Sequence, residues 1–91
     1  MNDKLQDAIN KAAQAEALMR NEMLKWAFRH FESELIRMMM ATEPAERDAR
    51  ERYYNCVQLL GDVERLLKSV ITNGKIAQTE LNKLGGINRA A

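Results

Sequence analysis

Ninety-one residues, with 14 Lys and Arg against 13 Asp and Glu, give a net charge of +1, and the chain is 46% apolar but only 5% aromatic. A chain this short holds one small domain with a modest core, and so apolar a composition at so low a charge excludes a disordered polyelectrolyte. The balance also disfavours a protein that lives on a phosphate backbone, which needs many Lys and Arg contacts.

One proline and four glycines leave room for few turns, which points to long helices in an all-α fold built from Leu, Ile, Val, Met and Ala. Periodicity predicts four helices within a single domain spanning 1–91. The first covers about 3–20 and aligns Leu5, Ala8, Ile9, Ala12, Ala15 and Met19. Its alanine stripe allows close approach but buries little area per residue, so this helix is expected to be the loosest. The second covers about 22–41, with Leu24, Ala27, Phe28, Phe31, Leu35, Met38 and Met39 on one face. At 100° per residue the two apolar faces do not line up, so a break is expected at Asn21, itself a suitable N-cap.

Thr42-Glu43-Pro44 separates the second helix from the third, with Pro44 placed in the first helical turn. The third helix is expected over about 44–73, with a seam at Ala49, Tyr53, Cys56, Leu60, Val63, Leu67 and Val70 in heptad-like steps. Asn73-Gly74 reads as its stop, with Gly74 in the left-handed conformation. A short fourth helix, about 76–84, carries Ala77, Leu81 and Leu84 and ends at Gly85-Gly86. So short a connection between the second and third helices implies an antiparallel helical hairpin, flanked by the N-terminal helix and the short C-terminal one.

That hairpin has more apolar surface than one partner helix covers. The third helix adds Leu59 and Leu66 beside its seam, with Val57 and Ile71 on the other side. On the second, Trp26, Ile36 and Met40 lie off the main face in a row with Arg29 and Ser33. Trp and Met favour contact surfaces. The candidate partner interface is therefore Trp26, Arg29, Ile36, Met40, Leu59 and Leu66, with a symmetric homo-oligomer as the leading expectation. Coverage by the first and fourth helices of the same chain is the alternative.

Sharper motifs dissolve on inspection. Asn73-Gly74-Lys75 lacks the first glycine and the hydroxyl residue of a phosphate loop. His30 stands apart from any cluster with metal-ligand spacing. Cys56, the only cysteine, lies on the seam and reads as a small hydrophobe rather than a nucleophile. Acidic residues from Glu32 to Glu51 alternate with arginines as salt-bridged helix surface does. No catalytic residue, metal or cofactor is expected. The stretch from Ile76 resembles the first helix and turn of a helix-turn-helix unit, yet only three residues follow Asn88, so no recognition helix is expected.

Charge is uneven along the chain. Residues 42–64 carry six acids against three bases, a net of −3, and residues 65–91 carry five bases against Glu80, a net of +4. The basic third permits anion or nucleic-acid binding without favouring it. No signal peptide and no membrane-spanning stretch is read, so a cytoplasmic protein is expected.

The order Trp26-Ala27-Phe28, Ala49 to Tyr53, Leu59-Leu60, Val70 to Ala77 and Glu80-Leu81 resembles a class of short, uncharacterised helical proteins of tailed bacteriophages, over about residues 15–84. The resemblance implies a phage origin and an oligomeric helical hairpin acting in the host cytoplasm or incorporated in the virion. It implies no catalytic residues. Two functions remain open: a small virion-assembly or DNA-packaging component bound to phage structural proteins, and a host-directed inhibitor or anti-defence protein that binds a bacterial protein or a small anionic signal molecule.

Overall fold

The computed structural model describes residues 2–90, with side chains described over 3–85. The fold is all-α: three helices, α1 (Asn2–Arg20), α2 (Glu22–Met40) and α3 (Arg47–Ala90), and no strand among the described residues.

Local pairs support α1. Asp7 and Lys11 approach to 3.0 Å, Glu16 and Arg20 to 3.5 Å, each one helical turn apart. The chain breaks at Asn21, whose backbone is extended (φ −68°, ψ 118°) and whose side-chain oxygen accepts the Leu24 N–H at 2.9 Å. One of the four orphan donors at the start of α2 is thus satisfied. At the other end Ala41 N–H donates to Arg37 O, and the Thr42 hydroxyl donates to Met39 O at 2.7 Å.

The connector from α2 to α3 closes on itself. Glu46 N–H donates to Glu43 O at 2.9 Å, while the Glu46 carboxylate accepts the Glu43 N–H at 3.0 Å. This is the reciprocal logic of a capping box. It makes a separate turn of Pro44 and Ala45, so α3 begins at Arg47 and not at Pro44. Arg50 reaches back over this turn, donating to the Thr42 hydroxyl (3.1 Å) and to the carbonyls of Glu43 (3.3 Å) and Pro44 (3.4 Å).

The largest correction concerns the end of α3. A stop at Asn73-Gly74 and a separate fourth helix over 76–84 were expected; one helix instead runs from Arg47 to Ala90. No glycine has a positive φ among the described residues. Thr72 and Thr79, on either side, place their hydroxyls on the i−4 carbonyls of Lys68 and Lys75, as Thr does inside a helix. The physical reason lies at Gly74 itself, which is buried. A Cβ there would overlap the Cβ of Ala12 and stand 3.1 Å from the Ala8 carbonyl oxygen. The glycine is present because another backbone passes close by, not because the chain turns. With no turn before Ile76 and no stop at Gly85, the helix-turn-helix likeness also falls away.

Tertiary contacts divide the chain into two units, Met1–Arg20 with Leu66–Ala91, and Asn21–Arg65. In the first, Ala12 and Ala15 of α1 and Ala77 of α3 are buried along with Gly74. The alanine stripe of α1, whose helix was expected to be the loosest, supplies two of the four buried apolar side chains among the described residues, and Ala77 of α3 is a third. In the second unit Leu35 is the buried one.

Candidate protein interface

In the Asn21–Arg65 unit the main face of α2 meets α3 incompletely. Leu24, Ala27, Phe28 and Phe31 of α2 and Leu60 of α3 line an open apolar depression of about 250 Å³. Phe31, assigned to the main face by spacing, remains half-exposed. Near the connector a second depression is lined by Met38, Thr42, Ala49 and Tyr53. The first is lined by apolar side chains alone, whereas Arg37 and Glu46 add charge to the second.

The row read off the second helix is outside the packing. Trp26 is 55% exposed and Met40 78%, with Ile36 and Arg29 also exposed. Met23, one turn before Trp26, is exposed as well. Trp26 stacks on His30 with ring centroids 4.7 Å apart and planes 8° from parallel. One turn of helix sets this contact, and it leaves the indole edge free for a partner.

The charges of α2 differ in how they are engaged. Glu34 accepts from Arg37 at 2.8 Å, and Lys25 stands 3.5 Å from Glu22. The hydrogen bond from Arg37, and then its charge, hold the Glu34 carboxyl below the usual range; the same contact raises the Arg37 guanidinium. Arg29 has no ion pair among the described residues.

On α3, Leu59 is 61% exposed. Val63 was read as part of the buried seam, but it is 45% exposed and belongs with Leu59 on the outer stripe. Tyr54 is exposed as well, and Asp48 and Glu51 have no ion pair among the described residues. Leu66, the sixth candidate, lies in the other unit, where it too is exposed. The structure thus gathers Trp26, Arg29, Ile36 and Met40 on one helix face, with Leu59 on the other helix of that unit.

Other chemistry has little to build on. Among the described residues no three of His, Cys, Asp and Glu stand close enough to share a metal ion. Cys56 is a half-buried free thiol. No described helix is long and apolar enough to cross a membrane. No family model, curated protein or solved structure matches the chain.

Proposed function

We propose that this is a non-enzymatic helical protein of phage type that works by binding protein chains, its helical hairpin completed by oligomerisation, as a small virion-assembly or DNA-packaging component. One observation carries the reading. Among the described residues only Ala12, Ala15, Leu35 and Ala77 are buried apolar side chains, while twelve large apolar ones, including Trp26, Ile36, Met40 and Leu59, are exposed.

Apolar burial stabilises by about 25 cal/mol per Å². Three alanines and one leucine are the fully buried set among the described residues, and larger side chains such as Leu24, Phe28, Leu60 and Leu67 are only half-buried. Apolar burial in one chain is therefore modest against an ordering cost of roughly 1–2 kcal/mol per residue. Covering the exposed rows with further protein supplies what one chain does not. Protein contact is favoured over other partners because the rows combine Trp, Met and Leu with sparse, mixed charge.

The test is the molar mass in solution by light scattering at micromolar concentration. A multiple of 10.5 kDa is expected. A stable, cooperatively folded monomer would overturn the oligomer and move the reading to the host-directed inhibitor.

A further inference from the structure

The outward face of α2 is centred on Ser33. Trp26, seven residues before it, and Met40, seven after, each lie within about 20° of its direction around the helix. Arg29 and Ile36 fall about 40–60° to one side, and His30 and Arg37 as far to the other. All seven residues are exposed. The helix carries three acids, Glu22, Glu32 and Glu34, and three bases, Lys25, Arg29 and Arg37. It therefore has no net charge that would call for an oppositely charged partner.

Such a face fits its own copy. A two-fold axis requires that where one residue meets a second, the second also meets the first. With another α2 laid antiparallel and the axis passing at Ser33, Trp26 of each copy lies on Met40 of the other. Indole against thioether is a favourable contact. At the axis the small Ser33 side chains let the two backbones approach, since interaxial distance follows the side chains at the contact. A two-fold of this kind keeps each side of the face on its own side. Arg29 therefore lays its stem along Ile36 of the other copy, and Arg37 comes beside His30. Arg29 and Arg37 stand on opposite rims. One rim holds Arg29 and Glu32 of both copies, the other Arg37 and Glu34 of both, so each is neutral. Glu22 and Lys25, paired with each other, lie past the Trp26 end. A parallel pair would forfeit the contact of Trp26 with Met40 and align the two helix dipoles, which an antiparallel pair opposes.

We propose that the occupant of the outward α2 face is the same face of a second copy of this chain, antiparallel about a two-fold axis at Ser33. This rests on the oligomer reading and names its contact.

Disulfide cross-linking tests it, in a Cys56→Ala background whose folding is checked by circular dichroism. Only a residue on the axis meets itself, so Ser33→Cys should oxidise to a covalent dimer. Arg29→Cys should not, because its two copies stand about 12 Å apart along the pair, beyond the reach of a disulfide. An equimolar mixture of Arg29→Cys and Ile36→Cys should instead give a mixed covalent dimer. Without any cross-link, Ser33→Lys sets two like charges at the axis and should weaken association at least ten-fold in sedimentation velocity. Ser33→Ala should leave it unchanged.

Arg29→Cys oxidising as readily as Ser33→Cys would overturn the antiparallel contact. A wild-type oligomer indifferent to Ser33→Lys would overturn it too, moving the contact to another face such as Leu59 and Val63 and leaving the oligomer standing. A monomeric wild type would remove both. A monomer that binds an unlike protein through Trp26 and Met40 would overturn it equally.

Discussion

A Cβ added to Gly74 would occupy the space of the Ala12 Cβ, with the Ala12 Cα 3.5 Å away and the Ala8 carbonyl oxygen at 3.1 Å. These are backbone and near-backbone atoms, so no rotamer change relieves the overlap; α1 itself must move. Gly74→Ala gains about 1 kcal/mol of helix propensity but overpacks a closed contact, which costs about 1–3 kcal/mol. A net loss of up to about 2 kcal/mol is expected in urea unfolding at fixed protein concentration. Gly61 is the control. A Cβ there meets only the Arg65 guanidinium, 3.4 Å off at the end of a flexible side chain. Gly61→Ala is therefore expected to stabilise by up to about 1 kcal/mol. Equal effects of the two substitutions would refute the close contact at Gly74.

The same residue shows where reading from sequence stops. The break at Asn21 was legible because cap chemistry is local: one side chain, one N–H three residues on, and a misaligned apolar face. Trp26, Ile36 and Met40 were legible as an outer row because a 100° step needs no knowledge of neighbours. Asn73-Gly74 was misread because glycine serves two purposes, a left-handed stop and a close approach, and only the distant Ala12 decides between them. Val63 was misread for a related reason. It stands on the heptad seam by spacing, but a seam buries a residue only where the facing helix covers it. The Arg50 clamp was not legible at all, since three acceptors on a turn leave no periodic trace.

Arg50 serves as a strap across the connector, and its guanidinium fork is what reaches Thr42, Glu43 and Pro44 together. Lysine retains the charge but has no planar fork. Arg50→Lys and Arg50→Ala are therefore expected to be similarly destabilising, by about 1 kcal/mol. Thr42→Val alone should cost less, and in the double variant the two losses should fall short of additive. A full rescue by lysine would show that charge, not the fork, matters there.

Asn21 offers a more local check. Its side chain satisfies the Leu24 N–H, and no other side chain among the described residues does so. Asn21→Ala is expected to lose about 1 kcal/mol, while Asn21→Asp or Asn21→Ser should retain most of the stability. Amide exchange at Met23 and Leu24 should rise in the alanine variant ahead of exchange at Leu35.

Glu34 sets a pH dependence whose sign follows from Arg37. The folded carboxyl lies below its ordinary value, so the pair contributes above the unfolded pKa and the contribution is lost as pH falls through the folded one. Wild type should therefore lose stability across the acid range more steeply than Glu34→Gln. The pair is exposed to solvent on both sides, so the difference should be small and should shrink in high salt. A steeper acid loss in the glutamine variant would contradict the assignment.

Trp26 reports on the interface without any label, being the only tryptophan of the chain. In one chain its indole is more than half exposed, held against His30 on one face only. If the α2 row is covered on association, emission should shift to shorter wavelength and quenching by iodide should fall as concentration rises through the association range. Trp26→Ala removes the largest apolar anchor of the row, and central aromatic anchors are commonly worth about 2 kcal/mol or more. Association should then weaken at least ten-fold while helix content stays unchanged. His30→Ala separates the stack from the interface: quenching of the dilute protein should increase, yet association should survive. Emission and quenching that stay constant while the molar mass rises would place the contact elsewhere on the molecule.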